Sequence, residues 1–485
     1  MRRIAAVVLG ASLAALLAVP AGAGGSVPQG LSPREARAYQ RHLDMVARGV
    51  AHGAGQSVDI AGPQAPATSV VDVQEISRWS IDAQGQDDTE AEPDIAVDPN
   101  DPNHMTGAFQ QGRFSDGTAG AAAIGFSTSH DGGTTWTHGT LPGITKAYFG
   151  PYDRATDPAV AFGPNGEVYI ESLFFNASNN PNGFMVSRSD DGGLTWGAPM
   201  TVVNDGAGIF NDKGWIAVDT FPSSPFFGRV YVTFTRNGLQ MKYSDDRGQT
   251  WSALKTINNG GTDSQPVVLP TGILVVVYEN GFAFARRSTN GGDSFGAAVQ
   301  INSVQATEPS DMRTGGFPAA AVDRVTGSLY AAWQDTRFRS DGLNDIVVTR
   351  STDGGVTWSQ LLKVSAGTSG DKTDLFTADV AANNHLVFVA YRGRLNRSST
   401  TMRYVGEAFV FSADDGFDFG PETRISPLSD NNYSAKATGL IFYGDYMGSA
   451  AGGTEAHLIW ERASQAPDHP TGPHQTSWSA TILTP

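Results

Sequence analysis

A chain of 485 residues with 49 acidic and 33 basic side chains carries a formal charge of -16. That argues against nucleic acid or an anionic membrane surface as partner, since both demand a basic footprint. There is no cysteine, which excludes disulfides and thiol chemistry, and the 57 glycines among many Val, Thr and aromatic residues suit short strands joined by turns, an all-β composition.

The N-terminus reads Met1-Arg2-Arg3, an apolar run from Ile4 to Val19, then Pro20-Ala21-Gly22-Ala23. This has the charged, apolar and A-x-A parts of a secretory signal, so residues 1–23 are expected to be removed and the mature protein to be secreted into the extracellular space. The run is short for a membrane span, and no later segment is long and apolar enough to be one. Ser32-Pro33-Arg34-Glu35 is a capping box with Pro at the first helical position, which predicts a helix from about Pro33 to Val50. A linker rich in Gly, Pro and Ala follows, so residues 24–68 stand apart from what comes next.

From residue 69 to 485 one plan repeats. Ser129-His130-Asp131-Gly132-Gly133-Thr134-Thr135-Trp136 returns in close copies beginning at Ser189, Ser244, Ser288, Ser351 and Ser412, at steps of 60, 55, 44, 63 and 61 residues. The period is that of propeller blades rather than of helical solenoids. In each copy a strand ends at Ser, an Asp-x-Gly turn reverses the chain and an aromatic residue opens the next strand. The Asp therefore reads as a hairpin clip. In wording, S-x-D-x-G-x-T-W is the Asp box, or BNR repeat, and the chain resembles the sialidase-like β-propeller superfamily. That resemblance implies a propeller whose active face lies opposite the boxes. The Arg-Ile-Pro motif that sialidases carry at their first blade has no counterpart here, where the region reads Ala91-Glu92-Pro93-Asp94-Ile95. No catalytic residue is carried over from the family.

Six units carry a box, with inner strands at 94–98, 159–162, 215–219, 266–269, 319–323 and 378–382. A seventh at the C-terminus lacks one: it has Asp445 to Ala450, His457 to Glu461 and Ser477 to Ile482, and its missing outer strand is assigned to Ser69 to Ile76. A ring closed by strands from both termini leaves no free edge. The expectation is a seven-bladed β-propeller of four-stranded blades, with six blades as the alternative.

Two patterns fall on the face opposite the boxes. Glu92, Asp157, Lys213 and Asp263 stand where inner strands begin, with Asp94, Asp212 and Asp445 close by, so these side chains should converge on the axis. Paired carboxylates there suit acid and base work in glycoside cleavage, and Glu92, Asp157 and Asp212 are the candidates, with Tyr446 as a nucleophile of the sialidase type. They could instead cap the channel around water or a cation. The second pattern is an arginine after the second strand: Arg113, Arg236, Arg337, Arg392 with Arg394, and Arg462. Arginine forks carboxylates, so Arg113, Arg337, Arg394 and Arg462, with Lys213 and the platform of Trp215, are the candidate substrate-binding residues for a sialic or uronic acid. Each could instead tie its own blade, Arg337 with Asp335 and Arg462 with Glu461. Tyr148, Tyr152, Phe210 and Tyr443 are further aromatic candidates. His-x-x-x-His spacings are absent, so neither metal nor cofactor is expected. These features favour a secreted, monomeric glycoside hydrolase acting on an acidic extracellular glycan. The alternatives are a binding propeller that docks glycan or protein without catalysis, and a role in protein assembly.

Overall fold

The structure is a computed structural model, and it describes residues 69–77, 86, 88–114, 120–177, 181–206, 208–209, 211–395, 403–466 and 472–484. The expected signal segment, the helix near residues 33–50, the linker and Phe210 lie outside the described residues.

Each repeat folds as an antiparallel meander of four strands. Asp212–Val218, Val230–Thr235, Leu239–Ser244 and Lys255–Asn258 form one such sheet in that order, and Thr262–Val268, Leu274–Glu279, Phe282–Ser288 and Val299–Ser303 the next. The first two repeats are stitched into one larger sheet by a single bridge, Ala121 to Ala155. At the C-terminus, Gly448–Gly452, Glu455–Ala463 and Gln475–Leu483 make three strands, and Ser69–Glu75 pairs antiparallel with the last. The inner strands pack side by side in chain order, and Gly448–Gly452 packs against Glu90–Asp98. Apolar clusters fill the spaces between neighbouring sheets, as where Phe388, Leu458, Trp460 and Trp478 meet. Among the described residues no helix is long and apolar enough to cross a membrane.

The Asp boxes are built alike. In the second copy, the Ser189 hydroxyl donates to Asp191 Oδ1 at 2.7 Å and accepts from the Gly193 N–H at 2.8 Å, while Asp191 accepts from the Thr195 N–H at 2.8 Å and the Thr195 hydroxyl at 2.6 Å. Gly193 sits at φ +87°, and a Cβ there would come within 2.9 Å of Thr106 Oγ1, so the turn needs glycine. Ser189 is buried and Asp191 exposed, so water can take over the donors that Asp191 serves. Asp191→Ala is therefore expected to cost about 0.5–1.5 kcal/mol, and Ser189→Ala, which strands a buried N–H, about 1–3 kcal/mol. Chemical denaturation of the two variants checks the order; the reverse order would show that the carboxylate, not the serine, holds the turn.

Candidate functional site

Several inner strands begin with a bulge. Register shifts fall between Ala91 and Asp94, Thr156 and Ala159, Asp212 and Trp215, and Thr262 and Gln265. Within each bulge a residue other than glycine takes the left-handed conformation: Glu92 (φ +53°), Asp157 (+51°), Lys213 (+49°) and Asp263 (+54°). That conformation is uncommon for such residues and costs on the order of 1–3 kcal/mol each, so its repetition marks a designed feature of these sheets.

The convergence expected from the repeat is present. Lys213 Nζ donates to Asp445 Oδ2 at 2.5 Å and lies 3.7 Å from Glu92 Oε1. Gln110 donates to Glu92 Oε2 and, at 2.7 Å, to the Thr156 hydroxyl, which itself donates to Asp157 Oδ1 at 2.7 Å. Burial, then the charge of Asp157 beside it, pushes Glu92 well above the usual carboxylate range, and the two carboxyls share a hydrogen bond. Asp445 behaves oppositely: burial would raise it, but Lys213 and Arg313 hold it well below the usual range. Burial likewise opposes the Lys213 ammonium, and Asp445, Asp157 and Glu92 outweigh it. Asp212 stands one residue from this core, half-buried, its Oδ1 accepting from the Lys213 N–H at 3.0 Å. Burial and then Asp157 push it up to about 6. Environments that drive neighbouring carboxyls apart are the mark of an acid paired with a base.

Arg313 is the residue that the repeat conceals. It forks Asp445, Nε to Oδ1 at 3.0 Å, and its side chain is 35% exposed, the most open of the charged groups in contact with Asp445. It lies on the connection before an inner strand, in a short parallel pairing of Met312–Arg313 with Leu440–Phe442, so no count of arginines after second strands could reach it. Arg113 is buried and donates to Gln110 Oε1 at 2.6 Å, which places it behind Glu92. Arg113 and Arg313 both stack on Phe442, at 4.0 and 5.0 Å from the ring centre.

The other arginines are not drawn into this cluster. Arg337 forks Asp335 at 2.8 Å through Nε and Nη2 and also reaches Asn302. Arg394 donates to the Ser310 carbonyl at 2.8 Å, Arg236 forks Asp205, and Arg462 lies over Trp478 at 4.8 Å. Glu461 does not pair with Arg462, its neighbour in sequence; it accepts from Arg392 at 3.1 Å, because alternation along a strand sends adjacent side chains to opposite faces. Trp215 meets Tyr446 edge-on at 5.2 Å, and the Tyr446 hydroxyl donates to the Pro158 carbonyl at 2.9 Å. Tyr148, Tyr152 and Tyr443 are buried. Asp157, Lys213, Asp263, Phe317, Thr377 and Asp445 help line a cavity of about 30 Å³, room for a water or two. Among the described residues no group of three or more His, Asp or Glu side chains could hold a metal ion.

No family model matches the chain. In sequence it is similar to a xyloglucanase of Paenibacillus sp, 27% identical over 287 residues that cover 55% of this chain and 26% of that protein. It is also similar to a sialidase of Micromonospora viridifaciens, 27% identical over 272 residues that cover 47% of this chain and 39% of that protein. The chain thus spans well under half the length of these curated relatives. Among solved structures it is similar to the phage phi92 endosialidase, with a TM-score of 0.47 at 11% identity over 85% of this chain and 69% of that one. The Hadza microbial sialidase Hz136 aligns with a TM-score of 0.43 at 18% identity over 62% and 63% of the two chains. In its Asp boxes and in these sequence matches alike, the chain resembles the sialidase-like superfamily.

Proposed function

We propose that this protein is a secreted glycoside hydrolase built on a seven-bladed propeller, with Ser69–Glu75 completing the last blade, and that it acts on an acidic glycan. The contact of Gly448–Gly452 with Glu90–Asp98 supports the closed ring. The observation that carries the chemistry is the mixed cluster on the face opposite the Asp boxes, where a half-buried Asp212 pushed up to about 6 stands beside Asp157 and Lys213, and Arg313 forks Asp445, the partner of Lys213. In this reading Asp212 protonates the leaving oxygen, which needs a carboxyl still protonated near neutral pH. Asp157, steadied by hydrogen bonds from Thr156 and the protonated Glu92, is the second carboxylate. Arg313 takes the acidic group of the sugar, with Lys213 beneath it and Tyr446 and Trp215 bordering the site. Arg113 acts through Gln110. Arg337, Arg394 and Arg462 hold their blades, so the preference for an acidic sugar rests on Arg313.

A second reading is a propeller that binds glycan without cleaving it: the cavity of about 30 Å³ beside the cluster is far below the few hundred Å³ of a ligand pocket, which would leave a glycan on the open surface rather than enclosed around the carboxyls. Purified protein incubated with sialyl, uronyl and neutral glycosides separates the two, with reducing ends and unsaturated products as the readout. Hydrolysis of acidic glycosides in preference to neutral ones is expected, together with loss of that preference in Arg313→Ala. Binding of glycans with no product from any of them would overturn the hydrolase and leave the binding propeller.

A further inference from the structure

The wider axial opening lies at the other end of the inner strands. There Val97, Val160, Phe162, Val218, Ala451 and Arg324 help line a cavity of about 250 Å³. Most of the lining residues are apolar, although polar atoms make up the larger part of the exposed wall; Arg324 is the one basic side chain among them and Asp98 the one carboxylate. Its Nη1 donates to the Thr220 hydroxyl at 2.8 Å, and its guanidinium stacks 4.3 Å from the centre of the Phe221 ring. Among the described residues no carboxylate is in ion-pair contact with it. The nearby acids are engaged elsewhere: Asp98 with His104 at 3.3 Å, and Asp219 with the Ser224 hydroxyl and the Phe221 N–H. Arg324 is half-buried and lines the cavity, with Thr220 the one side-chain hydrogen-bond partner among the described residues. Burial lowers Arg324 below the ordinary arginine range despite the pull of Asp219 and Asp98. A partly desolvated guanidinium with no carboxylate in direct contact gains from an incoming anion that can fork it.

We infer that this mouth is a binding site for a small carboxylate with a short apolar body, its anionic end forked by Arg324 and its body set against Val97, Val160, Phe162 and Val218. A free short-chain acid and the C-terminus of a peptide share that chemistry. The site is independent of the carboxylate cluster, which lies at the opposite ends of the same strands.

Calorimetric titration of the whole protein with butyrate, N-acetylvaline and their amides tests it. The acids are expected to bind at least roughly tenfold more tightly than the amides, a difference that a charged fork readily supplies. Arg324→Met should abolish the preference, and Ala451→Leu, which narrows the mouth and keeps the arginine, should weaken both acids. Tighter binding of N-acetylvaline would identify a chain terminus as the ligand, and tighter binding of butyrate a free acid. Amides that bind as well as acids, or an Arg324→Met protein that still prefers acids, would overturn the proposal. If Arg324→Met melts early, undiminished acid binding by Ala451→Leu would overturn it as well.

Discussion

Asp212→Asn is expected to lower glycoside turnover by roughly 10²- to 10⁴-fold, the contribution usual for a positioned proton donor. The amide keeps the hydrogen bond that Asp212 Oδ1 accepts from the Lys213 N–H, so the bulge at the start of the strand should survive. It also removes a partly desolvated charge that Asp157 repels, so the melting temperature should hold or rise. In the unsubstituted protein the rate should fall as pH rises through about 6, where Asp212 loses its proton. In the variant the residual rate should lack that limb. A variant with full activity, or one whose loss of rate follows a loss of fold, would remove Asp212 from the chemistry. Binding of substrate should change little, because the role assigned to Asp212 is proton transfer and Arg313 holds the acidic group.

Stability should be greater near pH 5 than near pH 8, the second large effect. Burial pushes Asp94 and Asp263 up to about 8 and Asp379 up to about 7, against roughly 4 in an unfolded chain. Such groups hold their protons in the folded state over an interval in which the unfolded chain has released them. Stability from them is complete below about pH 4 and is lost as pH rises through the folded values, at about 1.4 kcal/mol per pH unit for each group. The clips of the Asp boxes work in the other direction. Hydrogen bonds from Thr135 and Thr250 hold Asp131 and Asp246 below the usual range, so their contribution is present above pH 4 and disappears in stronger acid. The optimum should therefore lie near pH 4–5. Asp94→Asn isolates one group: the amide oxygen can still accept from the Val160 N–H, which Asp94 Oδ2 does at 2.7 Å. The substitution should stabilise the protein by about 4 kcal/mol more at pH 8 than at pH 5. Melting curves that are flat or that rise from pH 5 to pH 8, unchanged by Asp94→Asn, would contradict the account.

The two faces of the molecule were unequally legible in the sequence. Ser189, Asp191, Gly193 and Thr195 form a complete hydrogen-bonded unit within seven residues, so a box declares its turn wherever it occurs. The position of Glu92, Asp157, Lys213 and Asp263 at strand starts was legible for a related reason: each stands just before the inner strand of its repeat, and the inner strands pack side by side. The left-handed bulge that delivers them was not, because nothing in the local residue types demands it and the neighbouring strands impose it.

The sequence by itself determined the all-β repeat, the strand order within each repeat and the face on which charged residues gather, because turn chemistry and period-two alternation act over a few residues. Tertiary structure alone decided which charges are joined. Arg337 is tied to Asp335 two residues away, whereas Arg313 crosses 132 residues to Asp445 and Lys213 crosses 232. Such pairings depend on where distant strands start relative to one another, and electrostatic attraction at about 3 Å carries no signature in sequence spacing.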